Sequence, residues 1–62
     1  MTYQRGDRIA LVHTTDPHTD LTEGDKGTVK RYDANLAQLY IAWDSGSSLS
    51  MLLNDGDEVR PA

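Results

Sequence analysis

His13 and His18 stand five positions apart in a stretch that also holds Asp16 and Asp20, and two imidazoles with two carboxylates are donors that zinc accepts. Their spacing matches no established ligand pattern, so they read as solvated or locally hydrogen-bonded loop residues. Acidic and amide side chains gather twice, at Asp16, Asp20, Glu23 and Asp25 and again at Asn54, Asp55, Asp57 and Glu58. Neither stretch has the Asp-x-Asx-x-Asx-Gly run with a closing Glu that converges six oxygens on calcium, and turn formation accounts for both. Serine and histidine are present for hydrolysis, yet a nucleophile, a base and an acid need a walled cleft to hold them. A chain of 62 residues has little interior beyond its core. The expectation is therefore no catalytic residue, no metal ligand and no cofactor: the isolated chain is not an enzyme.

Length and charge bound the elements that could position such groups. Residues 1–62 form one domain, and a chain this short buries only about 60% of the surface its unfolded form exposes. The absence of cysteine removes disulfides and thiolates and fits a reducing cytoplasm. No apolar run reaches the length of a signal core or a membrane span, so a cytoplasmic protein with no membrane contact is expected. Ten acidic against six basic residues give a net charge of −4, which opposes attraction to phosphate backbones and makes nucleic acid the less favoured partner. Arg5-Gly6-Asp7 spells an integrin-binding tripeptide, a chance match in a chain with no extracellular context.

Met1–Gly6 reads as a short arm and Asp7–Val12 as the first strand. From His13 to Glu23 no period of two or 3.6 survives; a proline and several turn-capping side chains make this a long loop, with Leu21 its single aliphatic anchor. Gly24 and Gly27 end the loop, and alternation resumes over Gly27–Tyr32 and again over Leu36–Trp43. Asp33-Ala34-Asn35 predicts a three-residue hairpin loop with Asn35 left-handed, because Asn tolerates positive φ better than other non-glycine residues. That register sets Tyr32 opposite Leu36, Lys30 opposite Gln38 and Val29 opposite Leu39. At Asp44-Ser45-Gly46 the same logic gives Gly46 the left-handed position and pairs Trp43 with Ser47, Ile41 with Leu49 and Leu39 with Met51.

Both turns put Val29, Leu39, Ile41, Leu49 and Met51 on the core face, with Thr28, Lys30, Gln38, Tyr40, Ala42, Ser48 and Ser50 on the other. Asn54–Asp57 is a turn with a short 3₁₀ segment, and Glu58–Arg60 is a last strand halted by Pro61. The fold class is all-β: a small five-stranded SH3-like barrel with a long first loop.

Gly6-Asp7-Arg8-Ile9, Asp16-Pro17-His18-Thr19 with Leu21, Gly24 through Val29, and Trp43-Asp44-Ser45-Gly46 followed by Ser48-Leu49 resemble a family of short uncharacterised domains from bacteria, their plasmids and phages. The resemblance covers nearly the whole chain and implies the SH3-like barrel, without an activity. Asp33-Ala34-Asn35 stands where that family usually has a glycine-bearing turn. A weaker likeness joins the Gly-Asp strand, the Pro-His-Thr loop and the Gly-x-x-Gly-x-Val entry to the SH3-like domain of nitrile hydratase β subunits, which packs on a catalytic subunit.

Two surfaces follow from this register. Tyr32, Leu36, Tyr40 and Leu52 fall on the outer face, and large apolar side chains gathered there mark a partner-binding patch. Trp43, on the core parity, caps one end of the barrel; the several aromatics with which SH3 domains hold proline-rich helices are not here. Arg5, Arg8, Lys30 and Arg31, with Tyr32, form the alternative, a nucleic-acid-binding strand face. The favoured function is a non-catalytic interaction module for an unidentified protein partner, with homo-oligomerisation open, acting as an accessory protein of a bacterium or mobile element. The alternatives are a nucleic-acid-binding barrel and an acidic anti-defence protein that mimics DNA.

Overall fold

A computed structural model describes residues 3–62; the first two residues of the expected arm, Met1 and Thr2, lie outside the described residues. The described residues form five strands: β1 (Arg8–His13), β2 (Lys26–Asp33), β3 (Gln38–Trp43), β4 (Met51–Leu52) and β5 (Glu58–Pro61). They make one antiparallel sheet in the order β4-β3-β2-β1-β5, the strand order of an SH3-like barrel. A 3₁₀ turn, Leu53–Asp55, joins the last two strands, close to where the turn residues place it. Among the described residues no helix is long and apolar enough to cross a membrane.

Alternation along each strand builds the core. Ile9, Leu11, Val29, Leu39, Ile41, Trp43, Met51 and Val59 point inward and pack together. Leu21 joins them from the long loop, as expected of a lone aliphatic residue among polar ones. Burial of one such side chain stabilises by roughly 1.5–3 kcal/mol, enough to hold a loop of otherwise polar residues against the barrel. Backbone bonds secure the far end of that loop, Gly24 N–H to Leu11 O at 2.8 Å and Leu11 N–H to Asp25 O at 2.8 Å. Tyr3 packs against the core edge-on to Tyr32, ring centroids 6.4 Å apart.

The β3 end keeps its expected geometry. Gly46 has φ +94°, Gly46 N–H reaches Trp43 O at 2.9 Å, and Leu39 pairs with Met51. Ile41 and Leu49, however, are not a ladder pair. The Trp43 indole N–H donates to Leu49 O at 2.8 Å, which draws the 47–50 segment onto the ring and leaves β4 two residues long. Leu49 still packs against the core.

The β2–β3 hairpin differs from expectation. Its loop is Ala34–Ala37, four residues rather than three, and the left-handed residue is Ala37 at φ +49°, not Asn35. Asp33 explains the longer turn: its Oδ1 accepts the N–H groups of Asn35 at 3.0 Å and Leu36 at 3.3 Å and wraps the chain around the carboxylate. Tyr32 consequently pairs with Leu39 rather than Leu36, an odd slip that turns it to the core side. A bulge between Val29 and Arg31 then absorbs one position, so Val29 pairs with Ile41 rather than Leu39. That net slip is even, and Val29 keeps its inward face.

Candidate interaction surface

The outer face of the sheet is assembled by register. Arg8 pairs with Thr28, and Thr28 with Ala42, so these three side chains stand in a row across β1, β2 and β3. Arg8 Nη1 donates to Thr28 Oγ1 at 2.9 Å and to Asp44 Oδ1 at 2.9 Å, while Nη2 donates to Asp44 Oδ2 at 2.7 Å. This bidentate pair holds the turn after β3 down on β1. Hydrogen bonding to Arg8 keeps the Asp44 carboxyl below its usual range; desolvation works the other way, and the charges of Arg8 and Lys26 add to the lowering. The Arg8 guanidinium is raised in return, first by its hydrogen bond to Asp44. Both groups stay substantially exposed, and such a pair orders its surroundings more than it stabilises them.

At the β2 bulge Lys30 and Arg31 both turn outward, since Val29 before them and Tyr32 after them face the core. The Arg31 guanidinium carbon lies 4.5 Å from the centroid of the Tyr40 ring, its partner across the strands. Arg5 sits apart, exposed in the turn before β1. Three of the four cations expected to act together, Arg8, Lys30 and Arg31, thus share the outer face.

The four-residue apolar patch is brought together only in part. Tyr32 is corrected to the core side, where it packs against the buried cluster, because the longer turn reverses its parity. Leu36 and Leu52 remain outside, 59% and 38% exposed, and Tyr40 is half-buried beneath Arg31. Gln38 pairs with Leu52, and Leu53 N–H bonds Ala37 O at 2.9 Å, so Leu36 and Leu52 sit at the same corner of the sheet.

The residues with metal-ligand or acid–base chemistry are dispersed. His13 ends β1 opposite Glu58, while His18 lies in the loop with its backbone N–H on Asp16 Oδ1 at 2.8 Å. Among the described residues no three His, Asp or Glu side chains come close enough to share a metal ion. Asp57 has a structural task that spacing did not reveal. Its Oδ1 accepts from Thr14 Oγ1 and Thr15 N, both at 2.9 Å, and its Oδ2 from Leu52 N at 2.9 Å, tying the long loop to β4. Partial burial alone would raise this carboxyl, but the Leu52 and Thr15 amides and the two threonine hydroxyls together hold it below its ordinary value.

Lys26 and Arg60 belong to the outer face and were not among the expected site residues. Starting β2 at Lys26 rather than Gly27 would have placed Lys26 on the parity of Thr28, and Arg60 alternates with core Val59.

Fold and surface together define a small all-β domain of SH3-like topology. The chain belongs to the family DUF4314, a domain of unknown function, whose family model matches residues 1–61. Neither a curated protein nor a solved structure matches the chain.

Proposed function

We propose that the domain is a non-catalytic interaction module that docks a protein partner at the corner formed by Leu36 and Leu52. The supporting observation is their exposure: they are the two large aliphatic side chains left open among the described residues, and Leu52 pairs with Gln38, two residues from both Leu36 and Tyr40. Exposed apolar side chains gathered at one place, with an aromatic ring at their border, are the raw material of interface hot spots. The carboxylates favour this reading over a DNA mimic. Asp7, Asp16, Asp25, Asp33 and Asp57 each accept backbone N–H groups in turns, so half of the ten acidic side chains serve the fold where they stand.

The test is the double variant Leu36→Ser, Leu52→Ser. With the immobilised domain and extract of its native host, the wild type captures a partner that then binds the purified domain directly in calorimetry. The variant, melting within a few degrees of wild type, binds that partner at least about tenfold more weakly, the loss expected of a hot spot. Equal affinity in the folded variant removes the leucine corner as the docking site.

A further inference from the structure

The charges of this chain are sorted between different parts of the fold. Arg60 and Lys26 both pair with Ala10, one from each side, which sets Arg60, Ala10 and Lys26 in a row across β5, β1 and β2. Arg8 heads the adjoining row, and the bulge adds Lys30 and Arg31 at the far end of β2. Five of the six basic residues therefore occupy one face of a protein whose net charge is −4. Ala10 carries only a methyl group, so its own side chain puts no bulk between the cations that flank it.

Among the described residues the Arg8–Asp44 contact is the one ion pair, which leaves Lys26, Lys30, Arg31 and Arg60 exposed and unpaired. Strands lie about 4.8 Å apart and rise about 3.3 Å per residue, so Arg60 and Lys26 stand roughly 10 Å apart and Lys26 and Lys30 roughly 13 Å. No single phosphate or carboxylate spans those gaps; a polymer with a charge at every repeat does. The Arg31–Tyr40 stack decides which polymer. A guanidinium backed by an aromatic ring is a platform on which a nucleobase stacks, whereas a run of Asp and Glu carboxylates offers no π face to it.

We infer that the outer sheet face binds single-stranded nucleic acid, with Lys26, Lys30, Arg31 and Arg60 on the phosphates and the Arg31–Tyr40 stack under a base. This face borders the leucine corner at Tyr40 but draws on different side chains, so the two surfaces are tested separately. Four phosphate contacts give a salt slope of about −2.8 for a single strand, a fall in affinity of roughly 50-fold between about 50 and 200 mM salt.

The experiment is fluorescence anisotropy of a labelled oligothymidylate of about 20 nucleotides, longer than the site of one small barrel. Wild type binds at low salt with the slope above. The Lys26→Gln, Arg60→Gln variant loses about tenfold in affinity and about 1.4 from the slope, while the Leu36→Ser, Leu52→Ser variant binds as wild type. If the first variant melts early, Lys30→Gln, which lies in the bulge outside the β1–β5 ladder, reads about a threefold loss and half the slope change. Three results overturn the inference: no binding at low salt, wild-type affinity in a folded cation variant, or displacement of the oligonucleotide by polyglutamate at equal charge concentration. The last would assign the face to acidic polypeptides.

Discussion

Gly27 lies directly opposite Trp43, and a Cβ placed on it would stand 2.6 Å from Ile41 Cγ2 and 3.1 Å from Trp43 Cε3. The first strand after the long loop therefore comes this close to β3 only because residue 27 has no side chain. Its backbone φ is not in the left-handed region, so the demand is for space and not for conformational freedom.

Gly27→Ala is expected to destabilise the domain. Alanine in a strand recovers part of the entropy glycine loses, about 0.5–1 kcal/mol, but forcing apart Ile41 and Trp43 in a packed core costs about 1–3 kcal/mol. Both neighbours are buried and Ile41 is stiff at χ1, so the clash dominates. Thermal unfolding followed by circular dichroism should show a midpoint lower by several degrees. A midpoint at or above wild type would mean that Ile41 yields at no cost.

Asp57→Asn should cost about 1–2 kcal/mol near neutral pH, because an amide replaces a carboxylate that accepts from Thr14, Thr15 and Leu52. The folded-state carboxyl titrates below its ordinary value of 3.8, so the unfolded chain binds the proton more readily. Its contribution is accordingly complete above that value and disappears as the pH falls through the folded-state pKa. Urea unfolding measured at about pH 7 and about pH 2.5 should show the gap between wild type and variant shrinking in acid. An equal gap at both would remove the carboxylate's charge from the account.

The β2–β3 turn can be tested by placing the same residue at two positions. Valine resists positive φ, so Ala37→Val is expected to cost about 1–3 kcal/mol, whereas Asn35→Val should change little. Denaturant midpoints of the two variants order the turn: the reverse ranking would restore the three-residue loop with Asn35 left-handed.

Much of the fold was legible because its signals are local and redundant. Leu21 stood alone in a polar loop and had one way to be useful; Gly46 and Trp43 marked a hairpin that kept its register at Leu39 and Met51. Tyr32 was misplaced because a turn's length depends on what Asp33 accepts, and Asn35 looked a better left-handed residue than Ala37. The inward face of Val29 survived that error through the bulge at Lys30, which no alternation pattern announces. The outer face was legible only in pieces, for a net charge sums over the molecule and hides that Lys26 and Arg60 flank one small alanine. Asp57 was one more acid in a turn until the fold brought Thr14 and Thr15 to it.

An open sheet edge is a template on which another chain can grow, and this sheet ends in β4 on one side and β5 on the other. β5 ends at Pro61, which has no N–H to offer, whatever the solvent. β4 is blunted by Asp57, whose carboxylate takes the Leu52 N–H, and that guard is titratable. In acid strong enough to protonate Asp57 its carboxyl accepts more weakly from Leu52, so β4 is the edge whose protection changes with pH, while the guard at Pro61 does not.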